Sequence, residues 1–352
     1  MENIGGNAII IKEININFVR KILKMKGQGT KQEIAKETGL SFVTVGTALQ
    51  HLLSQNEIFE TKLAQSSGGR PAQQYCYNFD YAYGLILYIY EAENKTYIHS
   101  SVINLSGSSI DENDMEVETV DLHIFEEIIA KLINKYPLIK VISFGHHGVE
   151  LNGEIILSEY KLLEGVSFIE HFSTLYNLPV ILENDVHAAV LGFSKRREIK
   201  SDESLVYLHF PEIYHPGAGI LINGSLFKGK TNYAGEIANM PLGIEWNSEL
   251  YASSEKTCEA ISKLIVSICS ILNPHTFIIN FNFLDKYKLS TINQICKESL
   301  PQNIVPKMYL SENFMKDYKS GLIMRALAQL EPNISLTKNK SSFEFCFRNI
   351  FV

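Results

Sequence analysis

The stretch Thr30-Lys31-Gln32-Glu33-Ile34-Ala35-Lys36-Glu37-Thr38-Gly39-Leu40-Ser41-Phe42-Val43-Thr44-Val45 constrains this chain more than any other, because its spacing is that of two short helices meeting across a tight turn. Ala35 is small where the helices must approach, Gly39 falls four residues later where the backbone must reverse, and Val45 lies six further on, inside the second helix. Thr30 and Glu33 stand in capping-box spacing for the first helix, and Ser41 is placed to cap the second. An ordinary helical hairpin carries the same signals. The context favours a helix-turn-helix: an apolar-periodic helix precedes it (Phe18, Ile22, Leu23), and a hairpin-like stretch over residues 57–63 follows, leading to Ser66-Ser67-Gly68-Gly69-Arg70-Pro71. Three helices followed by a small β wing predict a winged helix that binds DNA.

Charge agrees only weakly. Residues 1–80 carry nine Lys and Arg against seven Asp and Glu, a net of +2, whereas the remainder stands at −9. DNA repels such an acidic body and the head is mildly basic, so dimeric binding is expected, to raise affinity. Lys24, Lys26, Lys31 and Lys36 are candidate phosphate partners, each equally readable as a solvated surface charge. Ser41, Phe42, Thr44 and Thr47, on the exposed face of the second helix, are candidate base contacts. Arg70, on its Gly-Gly-Arg-Pro loop, is a candidate for the minor groove, or else a linker residue that pins the head to the body.

At 352 residues the chain exceeds a single core of typical size. The expected division is a DNA-binding head at 1–80, a first α/β lobe at 81–181 with 331–352 packing back on it, and a second lobe at 182–330 carrying the ligand site and dimer contacts. There is no long uninterrupted apolar segment and no leader-like N-terminus, so a cytoplasmic protein without a membrane partner is expected. Cys76, Cys258, Cys269, Cys296 and Cys346 are scattered singly, which indicates neither a disulfide framework nor a thiolate zinc site.

From residue 81 onward strands and helices alternate. Residues 83–90 and 97–105 are rich in aromatic and β-branched side chains and flank Glu93-Asn94, a hairpin turn. A helix with apolar positions at Ile124, Ile128, Ile129 and Leu132 follows, then a buried strand at 139–144. The second half repeats the plan with strands at 204–210 and 219–222, a helix at 254–272 and a strand at 276–281. Residues 111–118 read as an acidic connection.

In this body the segment from Leu178 to Gly192, containing Glu183-Asn184-Asp185-Val186-His187-Ala188-Ala189, resembles a signature of the ROK family of sugar kinases and sugar-responsive repressors. Gly217-Ala218-Gly219-Ile220-Leu221-Ile222-Asn223-Gly224, followed by Ala234-Gly235-Glu236-Ile237, resembles a second, and Asn273-Pro274 a third. With the winged helix in front, the resemblance is to the repressor branch, in the manner of xylose- and N-acetylglucosamine-type regulators. It implies an α/β fold in which the winged helix-turn-helix precedes a bilobal actin-like, ribonuclease-H-like ATPase-type body.

In the family's kinases the aspartate after Glu-Asn deprotonates a sugar hydroxyl. Here that residue is Asp185, with Asn184 beside it to hydrogen-bond the sugar. A base is useful only with a phosphoryl donor in line, and the donor side departs in three places. Leu85 to Thr96 lacks Asp-x-Gly-Gly. Ile213, Tyr214 and His215, ahead of Pro216, replace Gly-Thr-Gly, so side chains block the backbone approach and Pro216 removes a donor. Asn280-Phe281 replaces a glycine pair.

The sugar side is better kept. The resemblance places Asn184, Asp185, Glu236 and Glu249 at sugar-binding positions, with Asn239 where the family has histidine and Lys161 near a family asparagine. Carboxylates and amides suit a polyhydroxyl ligand. Each also has a structural reading: Asn184 and Asp185 as helix caps, Glu236 and Glu249 as surface carboxylates. His147 falls at the family's glycine-rich hinge, where a structural role is the simpler account. The family's zinc site needs the changed histidine and three cysteines; Pro241-Leu242-Gly243-Ile244-Glu245-Trp246-Asn247 supplies neither, so no metal and no other cofactor is expected, and Trp246 is expected to hold the loop by packing.

The sequence thus predicts a DNA-binding regulator, a repressor, that senses a sugar or sugar derivative through a catalytically inert kinase-like body, with operator DNA, a carbohydrate effector and a second copy of itself as partners. An active ATP-dependent sugar kinase and a ligand-independent DNA-binding protein stay open at this point.

Overall fold

The structure, a computed structural model, describes residues 4–61, 72–158, 160–200, 202–211, 214–282, 284–331, 334–339 and 342–347. The head opens with α1 (Ile4–Lys26), which buries Ile14, Ile16, Val19 and Leu23. β1 (Gln28–Thr30) leads into α2 (Lys31–Thr38), and α3 (Phe42–Ser54) follows. The capping box forms: Glu33 N donates to Thr30 Oγ1 at 3.3 Å, and Thr30 N donates to Glu33 Oε2 at 2.7 Å. Gly39 ends α2 with φ +71° and donates its N–H to Ala35 O at 2.9 Å, a left-handed turn that a Cβ would strain. Ser41 Oγ then accepts from Thr44 N at 3.1 Å, which starts α3. β2 (Ile58–Thr61) and β3 (Gln74–Tyr77) complete an antiparallel sheet in the order β1-β3-β2. Arg70, between β2 and β3, lies outside the described residues.

The body has two lobes of one plan. In the first, β4 (Tyr83–Ala92), β5 (Lys95–Ile103) and β6 (Ser109–Val117) form an antiparallel meander; α4 (Leu122–Lys135) leads to β7 (Ile139–His146). A hairpin of β8 (Val149–Leu151) and β9 (Glu154–Leu157) and then α5 (Phe168–Tyr176) precede β10 (Val180–Asn184). The sheet order is β10-β7-β4-β5-β6, with β7 and β10 parallel to β4. α6 (Asp185–Arg196) crosses to the second lobe, where β11 (Leu205–His209), β12 (Gly217–Ile222) and β13 (Ser225–Leu226) repeat the meander. α7 (Ser248–Ala252) and α8 (Ser254–Leu272) follow, then β14 (Thr276–Asn280), α9 (Lys286–Ser299) and β15 (Lys307–Leu310), in the sheet order β13-β12-β11-β14-β15. α10 (Phe314–Gln329) returns to the first lobe.

Two details follow from local chemistry. Ala92 pairs with Lys95 across Glu93 (φ 52°) and Asn94 (φ 61°), the doubly left-handed turn whose twist matches that of the strands it joins. Residues 111–118, read from sequence as an acidic connection, instead belong largely to β6. Their carboxylates hid the strand because they serve it, since charge on an edge strand discourages further pairing.

The sheets lie in layers with the helices. One face of the first sheet packs with α4 and α5 around Phe125, Phe144, Phe168 and Phe172. One face of the second packs with α8 and α9 around Leu208, Ile261, Ile265, Phe277 and Ile292. Between the two sheets α6 and α10 share a core containing Ile86, Val141, Val186, Val190, Tyr207, Ile278, Tyr318 and Leu322. They cross closely because glycines face backbone there: a Cβ at Gly321 would fall on the Ala188 carbonyl, and one at Gly192 on the Asp317 carbonyl.

The C-terminal end of α10 meets the head. Leu327 and Leu330 pack against the head core, which also takes in Ala82 and Leu105, and Lys24 Nζ lies 2.5 Å from Glu331 Oε1. β16 (Ile334–Asn339) and β17 (Ser342–Phe347) pair antiparallel, and β16 runs beside α1, so the tail lies with the head where the sequence reading had it on the first lobe. No described helix is long and apolar enough to cross a membrane.

Candidate functional site

A cleft of about 520 Å³ opens where β7 and β10 of the first lobe face the loops after β11 and β12 of the second. Asn184 ends β10 and caps α6: its Oδ1 accepts from Val186 N at 2.9 Å and His187 N at 3.1 Å, while its Nδ2 donates to Gly148 O at 3.0 Å. The capping role is therefore real, and it fixes where the next residue points. Asp185, buried on the first turn of α6, stands 2.8 Å from His147 Nδ1. Burial alone pushes His147 down, but the Asp185 charge and hydrogen bond outweigh it and raise the imidazole above its ordinary value. Burial likewise raises Asp185, and the charge of His147 carries it below the carboxylate range. Both shifts describe one ion pair. Glu236, across the cleft, is pushed up by burial and then by Asp185, so it holds its proton more firmly than an exposed glutamate.

The remaining sequence candidates divide. Asn239 lines the cleft and donates from Nδ2 to Tyr233 Oη at 2.9 Å. Glu249 does not line it. Asn247 does, as N-cap of α7, and with about 100° of rotation per residue a helix turns Glu249 away to solvent. Glu245, four residues earlier on the irregular loop, faces the cleft in its place. Trp246 packs on Phe210 with ring centroids 5.2 Å apart. Lys161 is exposed, donates to Glu164 Oε1 at 2.9 Å and to Ser158 O at 3.4 Å, and does not itself line the cleft. Among the described residues no group of three or more His, Cys, Asp or Glu is placed to hold a metal ion.

The part of the cleft lined by His209 and Tyr214 is built of side chains. Tyr214 donates its hydroxyl to Glu91 of β4, bridging the lobes, and its ring lies 5.5 Å from that of His147. His209 accepts a flat stack from Phe314, with centroids 3.6 Å apart and planes 4° from parallel, and pairs through Nδ1 with Asn280 Oδ1 at 2.9 Å. Burial pushes His209 down to about 4, so it is neutral at ordinary pH. Asn280 also donates from Nδ2 to Ser311 O at 3.1 Å.

Beneath the cleft lies a group that sequence reasoning missed. Glu183 is fully buried, with Lys228 Nζ at 2.7 Å, Arg325 Nε at 3.1 Å and His187 Nδ1 at 3.5 Å. Burial works against its charge, yet these partners hold it down to about 2. A carboxylate one residue before the matched Asn-Asp pair was the available signal. Asp317 is a second buried carboxylate, contacted by Arg196 Nη2 at 2.5 Å, Ser311 Oγ at 2.7 Å and Tyr207 Oη at 3.1 Å. Both networks tie α10 to its neighbours.

On the head, Ser41 and Thr44 are engaged in capping, with their hydroxyls 2.8 Å apart, while Phe42 and Thr47 are exposed. Val43 and Gln50, not singled out from sequence, share that exposed face. Lys31 holds its ammonium 4.1 Å from the centre of the Phe42 ring. Lys24 and Lys26 are paired with Glu331 and Glu37, and Lys36 is exposed.

Comparison with known proteins agrees with this geometry. Residues 95–258 match the ROK family. The matched span runs from β5 to the start of α8. The chain is similar to the xylose repressor of Bacillus spizizenii, 23% identical over 265 residues that cover 72% of this chain and 66% of that protein, so the match spans just under two thirds of the relative's length. In structure the chain resembles a ROK family transcriptional regulator described as a homologue of the Escherichia coli MLC protein, with TM-score 0.64, 18% identity, and 90% and 96% of the two chains covered. It also resembles the ROK hexokinase of Thermus thermophilus, with TM-score 0.55, 14% identity, and 71% and 98% covered. These likenesses give the α/β sugar-kinase-like fold; the hexokinase aligns with less of the chain than the regulator does.

Proposed function

We propose that this protein is a transcriptional repressor whose head is a winged helix that binds operator DNA and whose ROK body senses a sugar without phosphorylating it. The observation that carries the reading is the asymmetry of the cleft. Asp185, Glu236 and Asn239 offer two carboxyl groups and an amide to a polyhydroxyl ligand, whereas Tyr214 and His209, the latter stacked on Phe314, fill the side from which phosphate would come. Asp185 is moreover already paired with His147, which lowers its appetite for a hydroxyl proton. Similarity to a protein named xylose repressor supports the same reading.

α10 supplies the route between sites. Phe314 and Tyr318 abut the cleft through His209 and His147, Arg325 reaches Glu183, and Leu327 and Leu330 end in the head core. Sugar entering the cleft favours one lobe arrangement, α10 carries the change to the head, and in a dimer the spacing of two heads on the duplex changes. The ligand acts only to the extent that it binds the two arrangements unequally.

The test is a thermal-shift screen of the full chain against sugars, sugar acids and sugar phosphates, with Asp185→Ala alongside. Stabilisation by one ligand, lost in the variant, together with a sugar-dependent change in DNA affinity, is expected. ADP formation from ATP and any sugar of the panel defeats the reading in favour of the kinase; DNA binding indifferent to every sugar defeats the sensor.

A further inference from the structure

The thirteen residues of α3, Phe-Val-Thr-Val-Gly-Thr-Ala-Leu-Gln-His-Leu-Leu-Ser, include no Lys, Arg, Asp or Glu. Val45, Ala48, Leu49 and Leu52 turn inward to the head core. The opposite face shows Val43, 76% exposed, then Thr47 and Gln50 at helical spacing, with Phe42, 57% exposed, at the N-terminal end. An exposed valine and phenylalanine side by side leave apolar surface in water that the head core does not use. Lys31 lies across Gly46 and over the Phe42 ring, at the edge of this face.

Base edges in the major groove are distinguishable by chemistry. Guanine is read by a cationic fork on O6 and N7, cytosine by a carboxylate accepting from N4, adenine by an amide spanning N6 and N7, and thymine by apolar contact with its 5-methyl group. α3 carries neither of the charged readers and carries both of the others. Resting on the DNA-binding reading above, we infer that α3 reads A·T pairs: Phe42 and Val43 pack on thymine methyl groups, Gln50 forks onto an adenine, and Lys31 takes the adjoining phosphate. Val43 and Gln50 are seven residues apart, roughly 10 Å along the helix, which at about 3.4 Å per step is three base pairs.

The experiment is selection of duplexes from a random library by the full-length chain, followed by anisotropy titration of the selected site at fixed salt. The expected core is A·T over at least three successive pairs. Replacing a contacted thymine by deoxyuridine removes only the methyl group and is expected to weaken binding about three- to tenfold. Val43→Ala is expected to bind the thymine site more weakly and to become indifferent to that replacement. Gln50→Lys is expected to move one position from adenine towards guanine. Both side chains are exposed, so neither change disturbs the core, and circular dichroism checks the fold. A core with obligatory G·C pairs, or equal affinity for thymine and deoxyuridine duplexes at every position, overturns the inference while leaving DNA binding intact. No enrichment of any sequence overturns the inference and the DNA-binding reading together.

Discussion

The Asp185 carboxylate is 2.8 Å from His147 Nδ1, so the aspartate at the start of α6 is held by an imidazole from the end of the neighbouring strand, on the same side of the cleft. Asp185→Asn takes away the charge that most opposes the effect of burial on His147, leaving Glu91 and the Ile89 backbone as weaker supports. The imidazole of His147, followed by NMR through a pH titration, is then expected to titrate at lower pH than in the unsubstituted protein. A midpoint that stays high in the variant separates the shift from Asp185.

Acid sensitivity is expected from two other histidines. Burial pushes His146 and His209 to about 4 each, below their ordinary value of 6.5. The folded state therefore binds fewer protons than the unfolded chain between those limits, and stability is kept above about pH 6.5 and lost as pH falls towards 4. His147 acts oppositely: its raised value favours folding below 6.5 and its contribution fades as pH rises through that value. Both ring nitrogens of His146 are buried without a hydrogen bond of ordinary geometry among the described residues. His146→Leu is expected to keep or raise Tm at pH 7 and to flatten its decline between pH 6.5 and 5; an unchanged decline assigns the acid limb elsewhere.

Glu183→Gln is expected to be among the most damaging polar substitutions in the body. It leaves Lys228 and Arg325 facing a neutral amide inside the protein, and breaking a buried ion network from one side costs about 3–5 kcal/mol. Arg325→Met is expected to cost less, since that side chain is 40% exposed. Urea unfolding of the two variants orders them; equal losses would show that Arg325 carries as much of the network as Glu183.

Gly321→Ala places a methyl group against the Ala188 carbonyl, with backbone rather than a flexible side chain in the way. The helices must separate, at a cost of about 1–3 kcal/mol or more. The expected signature beyond lower Tm is weaker communication: DNA affinity responding less to the sugar that still binds. A variant that is destabilised yet keeps the full sugar response would take α10 out of the route.

The legibility of the fold in the sequence depended on how local each signal was. Thr30, Glu33, Gly39 and Ser41 act within one turn of their own backbone, and the caps and left-handed turn appear as read. The strand over residues 111–117 was hidden because its pairing partner, β5, supplies the information that its own acidic side chains withhold. In the cleft, the Asn-Asp run was visible as a pattern, but its pairing with His147 joins residues 38 apart and depends on the turn at Gly148. Glu249 and Glu245 differ only in which side of a short helix start they occupy, a matter of a few dihedral angles on an irregular loop. Val43 and Gln50 were overlooked because exposure of one helix face is settled by what packs on the other.

α10 has sixteen residues, and at 1.5 Å per residue it is about 24 Å long. One end is clamped in aromatic rings at the cleft, its middle is pinned to α6 at Gly192 and Gly321, and its far end sits under the head. That is a lever with its fulcrum near the centre. A tilt of about 5°, small enough to come from one ring shifting on His209, swings an arm of half that length by about 1 Å. Two such heads moving in opposition would change their separation by about twice as much, so on the proposed reading the output of the body is a displacement matched to the tolerance with which a duplex is read.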